Sequence, residues 1–497
     1  FLLSIQRRFM TQHFPVFSML GVLLLMMAAA MGAPLAVALY LHDDMARCYL
    51  SGLAISSGTG LLLWLSLYRR GAELQPRHGL LLVALAWVIM PMFAAIPLLL
   101  AFAQLGQPLS WVHAYFETVS GLTTSGGTVL SGLERLPLSL NFWRTFMQWI
   151  GGMGLLILAV AVLPLLGVGG SQLFKVEAAG PLKDSKLTPR ITETAKGLWS
   201  VYAGMSLLCA LGYWWAGMQP LDALMHMFTT VSLGGLSNYD TSLGHFNSLR
   251  IELVAMFFML LASCNFALYF SVLRKRSLHA FWRDPELRAT LAVMLGSGLL
   301  VSLLLWFKNV YPLSQALRYG MFNTISVAST TGYATADYLH WPIFAGVLLV
   351  LLSGVATSAG STGGGIKMVR LLILLKQAKR ELQRLSHPRA VRPVTLGGKV
   401  VDNPVIFAIL AFIFIYGCTV LVLTMLLLLT ELDLTTAFTA VLASVNCMGP
   451  GLGSVGPHSN FSVLSDFQIA ICTLGMLLGR LEMLSFIALL LPGFWRK

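Results

Sequence analysis

The sequence predicts an all-α integral membrane fold. Ten transmembrane helices are expected: two at the N-terminus, then four helix–pore-loop–helix repeats around a central pore. Three observations predict it. The 497-residue chain is 57% hydrophobic and 11% charged, where a soluble chain carries roughly 25% charge. Its apolar runs are long enough to span a bilayer, and the basic residues gather in alternate connections between them. One short glycine loop also recurs four times, at a period of roughly a hundred residues, which marks an internal repeat.

The four loops read Thr123-Thr124-Ser125-Gly126-Gly127-Thr128, Ser232-Leu233-Gly234-Gly235-Leu236-Ser237, Ser329-Thr330-Thr331-Gly332-Tyr333-Ala334 and Asn446-Cys447-Met448-Gly449-Pro450-Gly451. Aligned on Gly126, Gly235, Gly332 and Gly449, they share two further positions. Three residues before the glycine stands a hydrogen-bonding residue: Thr123, Ser232, Ser329 or Asn446. Twelve residues before it stands a small one: Ala114, Ala223, Gly320 or Ala437. The sequence between these positions suits a short helix aimed at the loop. Glycine lets the backbone take positive φ and turn successive carbonyls to one side. Four such loops about one axis give rings of carbonyl oxygens that can replace the water shell of a cation.

In chain order, helices are expected at about 14–41 and 48–68, forming an N-terminal unit of residues 1–78. Arg7 and Arg8 before an apolar run resemble a signal peptide, but the run is too long, so a retained helix is expected. The chain opens on Phe1, so its natural start is expected upstream. Repeat one (79–175) holds helices at about 79–103 and 141–166, with a half-helix at 111–122. Repeat two (176–286) holds helices at about 195–217 and 248–273, with a half-helix from Leu221. Repeat three (287–400) holds helices at about 287–307 and 341–375, with a half-helix from Leu313 and an interruption at 353–365. Repeat four (401–497) holds helices at about 404–429 and 464–491, with a half-helix from Leu434.

Net charge is +13, but its placement argues against nucleic acid. Arg69, Arg70, Arg77, then Lys175 to Lys196, then Arg274 to Arg288, then Lys376 to Lys399 mark connections on one side, which the positive-inside rule makes cytoplasmic. Both termini fall on that side. Arg47, Arg135, Arg144, Arg250, Lys308 and Arg318 fall on the outer side, and Arg480 inside a span. Acids lean outward, which would concentrate cations at an outer mouth. The half-helices then descend from outside with their partly negative C-terminal ends at the loops, an arrangement that favours cations over anions.

Six scattered cysteines (Cys48, Cys209, Cys264, Cys418, Cys447, Cys472) form no CxxC pair and read as packing residues. The run from Ser353 to Gly365 holds too many glycines and small hydroxyl residues for a stable helix. At membrane depth such a break should line a cavity. Gly360 to Lys367 resembles a phosphate-binding loop, but Ile366 separates Gly365 from Lys367 and Met368 follows it. The GxGxxG spelled from Gly451 to Gly456 has no strand before it. Arg480 sits deep in its apolar run. A charge there costs roughly 3 kcal/mol or more unless it faces protein or water. Glu482 cannot share its helix face, so Arg480 needs another partner, for which the Gly-rich loop is the candidate. Asn265 reads as a helix–helix hydrogen bond.

Four helix–half-helix–helix repeats, each with a filter glycine, resemble the Trk/Ktr/HKT superfamily of potassium transporters over essentially the whole chain. The two extra N-terminal helices, the stretch from Gln148 to Gly154 and Gly479-Arg480-Leu481-Glu482 resemble its bacterial TrkH-type branch. The resemblance implies a homodimer in the bacterial inner membrane, with potassium as the bound and transported ion and a cytoplasmic TrkA-type nucleotide-binding regulatory protein. It places the potassium filter at Thr124, Ser125, Gly126, Gly127, Leu233, Gly234, Gly235, Leu236, Thr330, Thr331, Gly332, Tyr333, Cys447, Met448, Gly449 and Pro450. Glycine at all four filter positions implies potassium, since serine at the first marks sodium-permeable relatives. The fourth loop departs from the pattern by lacking the hydroxyls of the others. The resemblance also makes Gly360, Ser361, Thr362, Gly363, Gly364 and Gly365 an intramembrane gate, with Arg480 as a pore barrier.

The basic inner stretch from Lys376 to Lys399 suits either a regulator or anionic membrane lipid. The alternative function is an alternating-access secondary cation transporter coupled to protons or sodium, with the Gly-rich break as its substrate site. Parallel re-entrant half-helices speak against it. No carboxylate pair, Ser-His-Asp set or metal cluster stands in the expected spans, so no catalysis is expected.

Overall fold

A computed structural model describes residues 2–67, 76–162, 191–277, 279–388 and 392–495. Arg69, Arg70, Lys175, Lys183, Lys186 and Arg190, used above to orient the chain, lie outside these residues. The described chain is helical apart from a two-residue antiparallel ladder pairing Thr395–Leu396 with Lys399–Val400. It opens on α1 (Leu2–Leu41), α2 (Ala46–Leu67) and α3 (Pro76–Gln104). The half-helix α4 (Trp111–Leu122) follows, then α5 (Leu138–Val162), α6 (Ile191–Trp215) and the half-helix α7 (Pro220–Val231). Next come α8 (Leu249–Ala262), α9 (Phe266–Lys275), α10 (His279–Arg283), α11 (Pro285–Phe307), the half-helix α12 (Leu313–Ala328), α13 (Ile343–Ser353) and α14 (Met368–Ser386). The last are α15 (Asn403–Leu428), the half-helix α16 (Leu434–Asn446), α17 (Asp466–Arg480), α18 (Met483–Leu490) and α19 (Pro492–Trp495).

Among the described residues, five continuous helices are long and apolar enough to cross a membrane: α2, α11, α15, Pro15–Leu41 within α1 and His78–Gln104 within α3. The pair α8 and α9 makes a sixth if counted as one span, bent by 85°. Two further expected spans, α5 and α6, abut residues 163–190, which are not described. The remaining two are broken by irregular backbone between α13 and α14 and between α17 and α18.

The first break was expected at 353–365 and is found. The other two correct the continuous helices expected at 248–273 and 464–491. At the 263–265 break, Asn265 is the N-cap of α9, its side chain accepting from the Ala267 N–H at 2.9 Å. Asn265 is therefore a helix start, which corrects its reading as a helix–helix contact.

Each half-helix begins where its sequence demands. Ser110 caps α4, Pro220 opens α7, Pro312 precedes α12 and Asp433 caps α16. The Thr436 hydroxyl and N–H hold the Asp433 carboxyl below its ordinary value. All four half-helices are buried over their last turns, in two large apolar clusters. One includes Phe116, Val119, Trp143 and Val441, the other Phe228, Val231, Phe258 and Phe322. By contrast Trp215, Phe307, Phe407 and Phe414 lie exposed on the outer faces of long helices. So much outward apolar surface belongs in lipid.

Candidate ion-conduction site

The four loops share one backbone conformation. The residue two before each glycine, and the glycine itself, have positive φ: Thr124 and Gly126 (57° and 79°), Leu233 and Gly235 (55° and 71°), Thr330 and Gly332 (64° and 84°), Cys447 and Gly449 (53° and 90°). Positive φ at a non-glycine residue is uncommon. Here the first of the two ends the half-helix. Its N–H bonds three residues back: Thr124 to Gly121, Leu233 to Thr230, Thr330 to Val327 and Cys447 to Ser444. The next N–H bonds five back: Ser125 to Ser120, Gly234 to Thr229, Thr331 to Ser326 and Met448 to Ala443. This pair of bonds is a Schellman motif, which closes a helix and turns the chain away.

The glycines then stack around a ring. A Cβ added to Gly126 would collide with the Gly234 carbonyl oxygen, one on Gly235 with that of Thr331, and one on Gly332 with that of Met448. A Cβ on Gly449 would stand 3.4 Å from the Ser125 carbonyl oxygen, which closes the circle. So Gly126, Gly235 and Gly332 are required twice, for positive φ and for the approach of the next loop, and Gly449 for positive φ. The four loops that hold the sixteen residues expected at the filter come together here. Tyr333 adds only backbone to the ring, since its hydroxyl turns back to Thr229, Thr230 and the His226 carbonyl.

On one face of the ring lies a polar hollow of about 240 Å³, lined in part by Gly126, Gly235, Gly332, Pro450, Tyr239 and Asp240. Asp240 accepts from the Gly132 and Leu133 N–H groups, tying the outer ends of the first two loops together. Burial, and then the charge of Asp222, push the Tyr239 phenol up to about 12.

At the half-helix ends, on the other face of the ring, lies the Gly-rich segment. Its Gly364 N–H donates to Thr330 Oγ1 at 3.1 Å, and Thr362 Oγ1 donates to the Val231 carbonyl at 3.1 Å. A Cβ on Gly364 would strike the Asn446 carbonyl. The segment is thus pressed against the C-terminal ends of three half-helices. It is pinned from both sides. Glu286 accepts from the Ala359 and Val369 N–H groups at 2.6 and 3.2 Å. The irregular backbone at 263–266 pairs with it too, Ser358 N–H to Ser263 and Phe266 N–H to Gly360. The α8–α9 break and the Gly-rich break satisfy each other's backbone groups, as irregular backbone at membrane depth requires.

Arg480, buried, donates to the Thr362 carbonyl at 3.2 Å and to the Gly151 carbonyl at 3.0 Å. Its expected partner, the Gly-rich loop, is found, and Gly151 of α5 is a second. Glu482 instead pairs with Arg370 at 3.0 Å.

Four groups at this site were not foreseen from the sequence. Lys367, buried, donates from Nζ to the Gly363 carbonyl, a second cation on the same segment. Glu286 anchors that segment. Gln148 is hydrogen-bonded to the second loop. Glu117 and Arg144 form a fully buried pair at 2.7 Å behind the first loop, where Glu117 also accepts from Thr128 Oγ1 and the Val129 N–H. Arg144 is therefore a core residue, which corrects its place among the outer charges. The loop alignment held the signal for Glu117. Three residues after Ala114, Ala223 and Gly320 stand Glu117, His226 and Asn323, and each bonds a residue just past its own loop glycine. Replacing Arg144 with alanine leaves the carboxylate buried without its partner. It is expected to destabilise the fold by about 3 to 5 kcal/mol, read as a lower unfolding midpoint in detergent. An unchanged midpoint would remove the pair from the account of what holds this loop.

Residues 48–492 match the family model described as TrkH, cation transport protein. The chain belongs to the TrkH family. It is similar, at 40% identity over 478 residues, to the Trk system potassium uptake protein TrkH of Salmonella typhimurium, covering 96% of this chain and 98% of that protein. It is 37% identical over 488 residues to the Trk system potassium uptake protein TrkG of Escherichia coli, covering 98% and 100%. The crystal structure of the potassium transporter TrkH from Vibrio parahaemolyticus superposes with a TM-score of 0.89 at 37% identity, covering 98% of this chain and 100% of that one. This TrkH-family chain is accordingly a multi-pass membrane protein of a transport family, which is not an enzyme class.

Proposed function

We propose that this chain takes up potassium across the bacterial inner membrane through a filter made by its four glycine loops. The observation that carries the reading is the closed ring, in which the residue before each filter glycine offers a carbonyl to its neighbour. Ten spans fit it, as residues 1–78 followed by four units at 79–175, 176–286, 287–400 and 401–497, with both termini cytoplasmic. Potassium loses water to the ring carbonyls, drawn there by the negative ends of four half-helices. Beneath them the segment Gly360–Gly365 obstructs the path, with Arg480 as an electrostatic barrier. A homodimer, a cytoplasmic TrkA-type regulatory protein and anionic lipid at the Lys376–Lys399 face complete the proposed assembly.

The test is tracer flux in proteoliposomes with potassium or sodium as the sole permeant cation. Potassium-preferring flux without a required counter-ion is expected. Flux that depends on a proton or sodium gradient would favour alternating access instead, and equal flux of both cations would overturn the filter.

A further inference from the structure

The second loop lacks something the other three have. At the position before the filter glycine stand Ser125, Thr331 and Met448, but the second loop has Gly234. Two of those side chains brace their own loops: Ser125 Oγ bonds Thr123 Oγ1 at 2.9 Å and Thr331 Oγ1 bonds Ser329 Oγ at 2.7 Å. At Gly234 the space for a side chain is filled from elsewhere. A Cβ there would collide with the terminal amide of Gln148, which is fully buried on α5. The amide uses both ends on this loop. Its Nε2 donates to the Gly234 carbonyl at 2.8 Å, and its Oε1 accepts from the Leu236 N–H at 3.2 Å. It thus grips the backbone on both sides of Gly235. One turn earlier on α5, Arg144 reaches the Ser237 carbonyl at 3.4 Å.

We propose that Gln148 is a positioning residue that sets the ion preference of the ring, acting in place of the missing side chain at Gly234. The carbonyl it holds is the one on which Gly126 of the first loop packs. A carbonyl ring discriminates between cations through the spacing and orientation of its oxygens. Without the amide, the peptides from Gly234 to Leu236 lose two hydrogen bonds and a packing wall, and that quadrant of the ring is free to rotate. The other three quadrants keep their own side chains, so the ring becomes uneven rather than absent.

This inference rests on the proposed reading of the loops as an ion filter. The experiment compares potassium-to-sodium flux ratios in proteoliposomes for the native chain, Gln148→Leu, Gly234→Ser, the double variant Gln148→Ala with Gly234→Ser, and Gly126→Ser as a control on the filter itself. Gln148→Leu is expected to lower the ratio about fivefold, the equivalent of one buried hydrogen bond. Gly234→Ser alone is expected to lose most flux, because Gln148 occupies its space. The double variant is expected to recover flux, because the space is cleared and a hydroxyl restored. An unchanged ratio in Gln148→Leu, with Gly126→Ser altered, overturns the role of Gln148 and leaves the filter standing. Unchanged ratios in both overturn the filter reading. Should Gln148→Leu fail to fold, a double variant no better than Gly234→Ser alone overturns the inference.

Discussion

Serine at position 126 is expected to lower the potassium-over-sodium flux ratio by roughly tenfold or more. Two physical terms act together. Gly126 has φ of 79°, where a residue with a side chain is strained by about 1 to 3 kcal/mol. Its missing Cβ is also the space taken by the Gly234 carbonyl oxygen. The first and second loops must part to admit serine, which breaks the ring between the quadrants packed most closely on Gly126. Wider, uneven oxygens hold a dehydrated potassium ion less well, while a partly hydrated sodium ion loses less. Each tenfold in the ratio corresponds to about 1.4 kcal/mol of difference in how the ring holds the two ions. The measurement is the reversal potential, or the ratio of initial tracer fluxes, in proteoliposomes. A ratio equal to that of the native chain, in folded protein, would mean that selectivity resides elsewhere than at this ring.

Much of this arrangement could be read from the residues, and the reasons are local. The glycine alignment, with its small and hydrogen-bonding positions, places the half-helices, and Trp111–Leu122 and Leu434–Asn446 end where the hydrogen-bonding residue stands at Thr123 or closes the helix itself as Asn446. The Gly-rich break was legible because its composition alone forbids a helix. The break after Ala262 was not, because Ser263-Cys264-Asn265 contains no glycine or proline. It opens because the Gly-rich segment supplies partners for its backbone, and that contact is non-local. Glu482, with φ of 48° at the second unforeseen break, is held there by Arg370, again from another helix. Arg144 was misplaced for a similar reason. Charge counting treats every arginine near a helix end as solvated, and only the fold brings Glu117 to it. Gln148 stood within the stretch that carried the family resemblance, yet its partner, the backbone beside Gly235, is visible only in three dimensions.

Removing the charge at Arg480 is expected to raise cation flux by about 30-fold. A potassium ion passing about 8 Å from the guanidinium, at an effective dielectric of roughly 20, is repelled by about 2 kcal/mol. At about 1.4 kcal/mol for each tenfold in rate, that is the stated change. Geometry adds to the electrostatic term. Arg480 holds the Thr362 carbonyl against α5 through Gly151, so Arg480→Ala also frees the middle of the segment that packs against the half-helix ends. Lys367 bears on the same segment through the Gly363 carbonyl, and Lys367→Met is expected to raise flux in the same direction. The two effects should fall short of additive, since both loosen one loop. Arg480→Lys separates the contributions. It keeps the charge but cannot bridge two carbonyls with a planar fork, so a barrier that is mainly electrostatic survives it, whereas one that depends on pinning the loop does not. Flux through Arg480→Ala that matches the native chain, with the unfolding midpoint and the potassium preference both intact, would leave Arg480 as a structural tie between the loop and α5 and would locate the gate elsewhere.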